Sequence, residues 1–193
     1  MNQKDALLRG AKKCLIEKGY GRTTARDITE ASGAHLGSIG YHYGSKDRLM
    51  SLAALELSSE WGDTISEALH EAKGATPRAR LGTVLATIRA SLPETRDVQS
   101  ASLQAFVQSQ FDDTLREHLA AGGANARREF GALLADQTES TTDLSAPQSA
   151  LGALAHALTL GVVVQYLVEP DSLPTANEMR AALDLLCDGE EER

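Results

Sequence analysis

The chain has 193 residues, of which 42% are hydrophobic and 4% aromatic, and its net charge at pH 7 is −8. This is enough for one globular domain, or for a small domain joined to a larger one. Cys14 and Cys187 lie far apart with no metal-ligand spacing, so we expect reduced thiols, no metal site and no cofactor. The polar N-terminus MNQKDALLRG is unlike a signal peptide, which predicts a cytoplasmic protein.

The charge is unevenly distributed along the chain. Residues 1–50 carry nine Lys or Arg against five Asp or Glu, a net +4, while the rest carries ten against twenty-two, a net −12. A basic segment on an acidic protein is attracted to phosphate, and the acidic part is repelled from it. The distribution therefore favours a nucleic-acid partner for the N-terminal segment.

The first two predicted helices have clear start or stop signals in the sequence. A helix with one apolar face ends at Gly19, and Thr24 with Asp27 forms a short capping box for a second helix. Gly33 is expected to end that helix, because glycine readily adopts the left-handed conformation found there.

A third short helix is predicted from about Leu36 to His42, with Ile39 and Tyr43 facing the core. Ser45 then caps a long fourth helix. Helix, tight turn and helix is the arrangement by which proteins place one helix in the DNA major groove.

The remaining periodicity is helical, with no sustained strand pattern. Thr76-Pro77 predicts a helix start, and Pro93 is expected to separate that helix from the next. Asp112-Asp113 favours another helix N-terminus, and Gly122-Gly123 is expected to kink or break the helix that follows.

Residues 144–168 contain no charged side chain and are long enough to span a bilayer. Polar residues such as Gln148 and His156 interrupt the run, and no basic flank anchors it, so we expect no membrane partner. Burial on two sides explains the run better, one side within its own domain and the other against a second subunit. The helix capped by Thr175 and Glu178 would complete a four-helix dimer interface. The predicted interface residues are Leu151, Leu154, Leu158, Val162, Met179, Leu183 and Leu186.

The segment from Gly21 to Leu49 resembles the DNA-binding region of the TetR family of transcriptional regulators. The matching stretches are TTARDITEASG, with Gly33 at the turn, and GSIGYHYGSKDRL, with Gly37-Ser38 in the recognition helix. The resemblance implies an all-α fold with an N-terminal three-helix helix-turn-helix DNA-binding head, residues 1–47. A six-helix ligand-binding and dimerisation domain, residues 48–193, would follow.

The resemblance further implies a homodimeric repressor or activator that binds double-stranded operator DNA. Of the two we expect a repressor that a small-molecule effector releases from its operator. Lys46 suits a phosphate contact because its charge adds to exposed backbone N–H groups, and Tyr41 can fix the register on the backbone. Alternatives are a cap-only role for Thr24, a packing role for Gly37 and a structural role for His42. The predicted DNA-binding residues are Thr24, Arg26, His35, Leu36, Gly37, Ser38, Tyr41, His42 and Lys46.

Two positions depart from the family pattern. Many members have Ser or Thr as the cap of the recognition helix where this chain has His35, and many have Tyr where it has Gly40. His35 is a poorer cap, and Gly40 weakens a short helix by roughly 0.5–1 kcal/mol relative to Ala. We therefore expect a loosely ordered recognition helix that becomes ordered on DNA.

An effector pocket is predicted from helix positions where polar groups accompany an apolar lining. Each candidate has the alternative role of a packing or surface residue, and the scarcity of charge favours an uncharged, largely apolar ligand. The candidates are Gln104, Phe106, Gln108, Phe111, His118, His156, Gln165 and Tyr166.

Enzymatic function is not expected, because the sequence has no Walker loop, no G-x-S-x-G and no H-E-x-x-H motif. The remaining alternative is an effector-independent helical interaction module that has kept a DNA-binding head.

Overall fold

A computed structural model describes residues 2–70, 75–137 and 143–187. Within these ranges the regular secondary structure is entirely helical, which confirms the predicted all-α class. The helices are α1 (Gln3–Lys18), α2 (Ala25–Ser32), α3 (Gly37–Tyr43), α4 (Lys46–His70), α5 (Pro77–Gln108), α6 (Asp113–Leu134), α7 (Ala146–Val168) and α8 (Ala176–Cys187), with a 3-10 turn at Pro170–Ser172. The side chain of Cys187 lies outside the described part, whereas Cys14 is a buried free thiol.

The chain forms two compact units. The first contains residues 1–61 and 95–121, and the second contains residues 62–94 and 122–193. Helices α4, α5 and α6 each contribute to both units. The head that the sequence predicts, residues 1–47, lies entirely within the first unit.

The first unit is built around the apolar face of α1. Asn2 begins this helix with its side-chain oxygen accepting from the Lys4 amide at 3.2 Å, and Gly19 ends it with φ 75°. The predicted face is buried and packs on the inward residues of α2, α3 and α4. The buried core consists of Leu7, Ala11, Cys14, Leu15, Ile28, Ile39, Tyr43, Leu49, Met50, Ala53, Ala54 and Ala101.

Helices α1 and α2 approach each other closely at Gly10. A Cβ atom at this position would lie 2.9 Å from the carbonyl oxygen of Ile28 and 2.9 Å from the Cβ of Ser32. A glycine inside a helix weakens it, so its use here reflects the space between the two backbones.

The helix break expected at Pro93 is wrong. Helix α5 continues through it from Pro77 to Gln108, with Pro93 exposed and Ile88 and Leu92 fully buried. A proline inside a helix costs about 3 kcal/mol or more, and burial of large side chains in the preceding turns is of the same order. Tertiary packing therefore overrides the local signal.

Helix α6 also runs without interruption through Gly122-Gly123. Leu115 and Leu134, near its two ends, are buried and hold the helix although these two glycines lower its local propensity. In the described residues, five α-helices rather than the expected six therefore follow α3.

In the second unit, α6 and α7 meet through two glycines. A Cβ atom on Gly152 would lie 2.1 Å from the Arg127 carbonyl oxygen and 2.6 Å from the Gly131 amide nitrogen. A Cβ atom on Gly131 would lie 2.9 Å from the Gln148 carbonyl oxygen. Only glycine fits at these positions without moving a backbone.

Helix α7 buries one stripe, formed by Gly152, Ala155, Thr159 and Val163. Helix α7 has 23 residues and contains an 18-residue window with a mean hydropathy of 1.8, so by length and composition it could cross a membrane. Within the described residues 22% of that window is buried. A single helix of this kind is weak evidence for a membrane span, because core helices of soluble proteins pass the same test. The predicted capping box at the start of α8 is confirmed, since Glu178 accepts from the Thr175 amide at 2.7 Å and Thr175 accepts from the Glu178 amide at 3.3 Å.

Candidate nucleic-acid interface

The first helix of the motif begins with the capping box that the sequence predicts. The Thr24 hydroxyl accepts from the Asp27 amide at 3.2 Å, and the Asp27 carboxylate accepts from the Thr24 amide at 2.8 Å and from its hydroxyl at 2.7 Å. Gly33, with φ 69° and ψ 15°, ends α2 in the left-handed conformation. The Thr24 hydroxyl is therefore engaged as a cap.

Asp27 also joins the start of α2 to the end of α1. Its carboxylate lies 2.6 Å from the Lys18 ammonium. The hydrogen bond from Lys18, and then those from Thr24, hold the pKa of Asp27 well below its usual range. The same contact raises the pKa of Lys18. Arg26, one position before Asp27, is exposed.

The recognition helix α3 begins without a side-chain cap. Leu36 stands at the cap position with φ −57° and ψ −41°, and no side chain bonds to the free amides of the first turn. Backbone contacts close the turn instead, with Ser38 donating to the His35 carbonyl at 3.0 Å and Ile39 donating to the Leu36 carbonyl at 3.3 Å. Leu36, rather than the expected His35, therefore occupies the cap position of α3.

Helix α3 presents two different faces. Ile39 and Tyr43 are buried in the core of the first unit, as predicted. Leu36 is 53% exposed and Tyr41 is 86% exposed. Gly37 and Gly40 are also exposed, and a Cβ atom on either would meet nothing within 4 Å. On the outward face, Gly37 and Gly40 leave the backbone uncovered by side chains, and Tyr41 and Leu36 add one aromatic and one aliphatic side chain. This arrangement suits close approach to a groove.

The two remaining predicted contacts on α3 are less accessible. Ser38 and His42 are half-buried. The His42 ring packs edge-on against the Tyr41 ring, with 4.8 Å between the centroids and 82° between the planes. His42 therefore helps to orient Tyr41, whichever other role it has.

Lys46 is engaged within the head. Its ammonium donates to the Thr23 carbonyl at 3.2 Å, lies 3.3 Å from the Asp47 carboxylate and stands 5.6 Å from the centroid of the Tyr20 ring. Tyr20 in turn donates to the Asp47 carbonyl at 3.2 Å. Lys46 thereby ties the first turn of α4 to the loop between α1 and α2, and a phosphate contact by the same ammonium stays a prediction.

The predicted effector residues fall in both units. In the first, Gln104, Phe106, Gln108, Phe111 and His118 are exposed, with Phe111 at 87%. Gln104 borders a cavity of about 220 Å³ together with Tyr20, Arg22 and Asp97. The His118 imidazole nitrogen Nδ1 lies 2.7 Å from the Thr114 carbonyl of its own helix.

In the second unit, Gln165 is exposed and donates to Ser172, while Tyr166 and His156 are half-buried. The centroids of the His156 and Phe130 rings lie 6.4 Å apart. Burial, followed by the nearby Arg127 charge, lowers the pKa of His156, so the neutral imidazole is favoured there.

The predicted dimer residues differ in accessibility. Leu154, Leu158 and Leu186 are exposed to 63%, 44% and 77%, and Leu151, Val162 and Leu183 are half-buried. Met179 is buried within the second unit at 7% exposure. Two further apolar side chains that were not predicted as interface residues are highly exposed, Val168 at 82% and Leu185 at 80%.

The sequence reasoning missed two residues that shape the motif. The buried Thr23 hydroxyl donates to the Gly19 carbonyl at 2.8 Å, which closes the loop before α2. Gly10 sets the spacing between α1 and α2. A glycine within a helical pattern was the available signal for Gly10, whereas nothing local distinguishes Thr23 from Thr24.

Comparison with known proteins matches the head at the level of sequence. Residues 7–53 match the family of bacterial regulatory proteins, tetR family. The HTH-type transcriptional repressor AcnR of Corynebacterium efficiens is 36% identical over 67 residues, which are 35% of this chain and 36% of that protein. The aligned segment thus spans about a third of the curated relative.

The fold extends the likeness to the whole chain. A candidate transcriptional regulator from Rhodococcus sp. RHA1 aligns with a TM-score of 0.71 over 95% of this chain and 94% of that one, at 19% identity. The multidrug binding protein EbrR, in complex with imidazole, aligns with a TM-score of 0.63 over 96% and 95%, at 21% identity. Residues 7–53 thus match the tetR family of bacterial regulatory proteins in sequence, and the chain shares its fold with these two solved structures along nearly its whole length.

Proposed function

We propose that this chain is a cytoplasmic, homodimeric transcriptional repressor that binds double-stranded operator DNA and is released from it by a small-molecule effector. The exposure of α3 is the observation that carries the DNA-binding part. Its buried residues Ile39 and Tyr43 fix the helix to the core, while Leu36, Gly37 and Tyr41 face outward. A helix held in this way can enter the major groove without losing its own packing.

Repression, rather than activation, is proposed from the relatives. The curated protein that matches the head is named a transcriptional repressor. A DNA-binding head whose operator overlaps a promoter represses transcription by occupying that promoter. Repression in this way requires no contact between this chain and RNA polymerase.

Dimerisation is proposed from the exposed apolar side chains of α7 and α8. Leu154, Val168, Leu185 and Leu186 are all at least 63% exposed. Exposed apolar patches on soluble proteins mark interaction sites, and a two-fold interface uses the same patch on both subunits. A dimer would present two α3 helices to successive major grooves, about 34–36 Å apart.

Effector binding is proposed by analogy with the family and from one local feature. The EbrR structure holds imidazole. In the second unit of this chain, His156 supplies a half-buried imidazole, with a pKa lowered first by burial, whose ring centroid lies 6.4 Å from that of Phe130. Small-molecule sites use this combination of polar and apolar groups. If the effector weakens DNA binding, then DNA must weaken effector binding by the same factor.

Binding-site selection on DNA from upstream of the protein's own gene, followed by band shifts at increasing salt, tests the DNA-binding proposal. We expect a selected duplex whose affinity falls linearly with salt on logarithmic axes. Tyr41→Glu should abolish the shift because it places a carboxylate on the outward face of α3. Ser59→Glu, an equal charge change at an exposed position of α4, should retain it. Equal binding by both variants would contradict the assignment of α3.

A further inference from the structure

The basic side chains of residues 1–50 differ in whether they form ion pairs with acidic residues. Of the nine basic side chains in residues 1–50, five are held by acidic partners. These pairs are Lys12 with Glu56 and Glu60, Lys13 with Glu17, Lys18 with Asp27, Lys46 with Asp47, and Arg48 with Asp112. Five charges are thus partly neutralised before any nucleic acid arrives.

The other four cations are Lys4, Arg9, Arg22 and Arg26, which form no ion pair with any residue in ranges 2–70, 75–137 and 143–187. All four are exposed. A surface cation that binds a DNA phosphate displaces a counterion from the DNA, and a cation without a carboxylate partner does so without first giving up an ion pair. These four are therefore the better sources of electrostatic affinity in the head.

Lys4 is the member of this group that is tied to the recognition helix. The Tyr43 hydroxyl, at the end of α3, donates to the Lys4 carbonyl at 2.8 Å. The Lys4 ammonium lies 6.0 Å from the centroid of the Tyr43 ring. The start of α1 is thus held beside the C-terminal end of α3 by a buried aromatic side chain.

The length of α3, compared with the width of the major groove, indicates where Lys4 would lie relative to DNA. Its seven residues span about 10 Å, and the major groove is about 12 Å wide. Side chains that flank the ends of such a helix therefore lie near the phosphates that border the groove. On the assumption that the proposed function is correct, we propose that Lys4 binds a DNA phosphate beside the C-terminal end of α3, held there by Tyr43.

The test is equilibrium binding of the full chain to a fluorescein-labelled duplex recovered by selection with the wild-type protein. Binding is measured from about 50 to 200 mM KCl, the range over which phosphate contacts dominate the salt dependence. Lys4→Gln should reduce the slope of log K against log salt by about 0.9 for each bound protomer. Lys13→Gln, the same charge change on the same helix at a cation paired with Glu17, should leave the slope unchanged.

A second variant separates the contact from its positioning. Tyr43→Phe keeps the ring and the Lys4 charge but removes the hydroxyl that holds the Lys4 carbonyl, so the affinity and the slope should both fall. In the double variant Lys4→Gln with Tyr43→Phe, the slope should be that of Lys4→Gln alone, because the two residues act on one contact. Lys4→Gln itself retains the carbonyl acceptor, so its thermal midpoint should match that of Lys13→Gln.

The outcomes distinguish this inference from the proposed function. If no duplex is bound by the wild-type protein, the proposed function fails and Lys4 loses its role with it. If the wild-type protein binds with a steep salt dependence and Lys4→Gln has the same slope as Lys13→Gln, only the assignment of Lys4 is overturned.

Discussion

The Lys46 ammonium donates a hydrogen bond over 3.2 Å to the carbonyl oxygen of Thr23. This contact joins the first residue of α4 to the residue directly before the Thr24 cap of α2. Because α3 lies between these two points along the chain, the contact closes a loop around the whole helix-turn-helix. A displacement of α4 in this unit would therefore be passed to the start of α2 as well as to α3.

Lys46→Met should lower the free energy of unfolding of the protein by about 1 kcal/mol, since hydrogen bonds to charged groups contribute about 1.5–3 kcal/mol and this side chain is partly solvated. Urea denaturation at fixed pH measures the change. Lys13→Met, at an exposed position of α1, should stay within about 0.5 kcal/mol of wild type. Equal stabilities for the two variants would show that the contact with Thr23 contributes nothing.

Gly10→Ala should destabilise the head although alanine favours a helix. The new Cβ atom would meet the Ile28 carbonyl oxygen at 2.9 Å, so α1 and α2 must separate, at a cost of about 1–3 kcal/mol. Gly40→Ala has open space around it and should instead stabilise α3 by about 0.5–1 kcal/mol. Thermal unfolding of both variants checks the opposite signs, and a stabilising Gly10→Ala would show that α1 and α2 have room to spare.

Gly152→Ala should be more damaging than Gly10→Ala, because its Cβ atom would lie 2.1 Å from the backbone oxygen of Arg127. A backbone atom cannot move away as a flexible side chain can, so α6 and α7 must part and lose buried contacts. Gly122→Ala, at an open position of α6, is the matched control and should retain the wild-type thermal midpoint or raise it. Circular dichroism melts of the two variants provide the comparison.

Protonation of His156 should make the folded protein less stable as the pH is lowered. Its folded pKa is lower than the ordinary value of 6.5 because of burial and the Arg127 charge. Well above pH 6.5 the imidazole is neutral in the folded and in the unfolded chain, so the stabilisation that it provides is fully present. This stabilisation is lost as the pH falls through the folded pKa, because the unfolded chain binds the proton more readily. Thermal midpoints from about pH 5 to pH 8 should decrease less in His156→Gln than in wild type. Parallel pH profiles would rule out His156 as the source.

The recognition helix should exchange its amide hydrogens rapidly in the free protein. Residues 36–42 have no side-chain cap at the N-terminus and contain Gly37 and Gly40, so local opening should cost little. Mass-spectrometric hydrogen exchange should show fast exchange there and slower exchange when the selected duplex is bound. Strong protection of this segment in the free protein would contradict the expectation.

The features predicted correctly from the sequence are those that depend on neighbours in the chain. Thr24 with Asp27, Ser45 with the Arg48 amide at 3.1 Å, and Thr175 with Glu178 all act within one helical turn, so composition and spacing suffice. The same holds for the inward positions Ile39 and Tyr43, which follow from helical periodicity.

The features that the sequence did not reveal depend on contacts between distant segments. Pro93 is tolerated because the residues around it are buried, and Gly152 is required because α6 lies against it. Arg80 is 3% exposed, donates to the Leu133 carbonyl at 2.6 Å and pairs with Asp136, although an arginine at this spacing looks like a surface residue. For the candidate site, exposure of Tyr41 and engagement of Lys46 likewise required the packed structure.

We propose that residues 25–43 form one half of a two-fold DNA-binding surface, and hydroxyl-radical footprinting can test this proposal. Hydroxyl-radical cleavage of the selected duplex with the full chain should show two symmetry-related protected patches, with centres about one helical turn apart, 10–10.5 base pairs. Tyr41→Glu should remove both patches together. A single protected patch, or protection that survives Tyr41→Glu, would show that α3 does not bind DNA as one half of a two-fold surface.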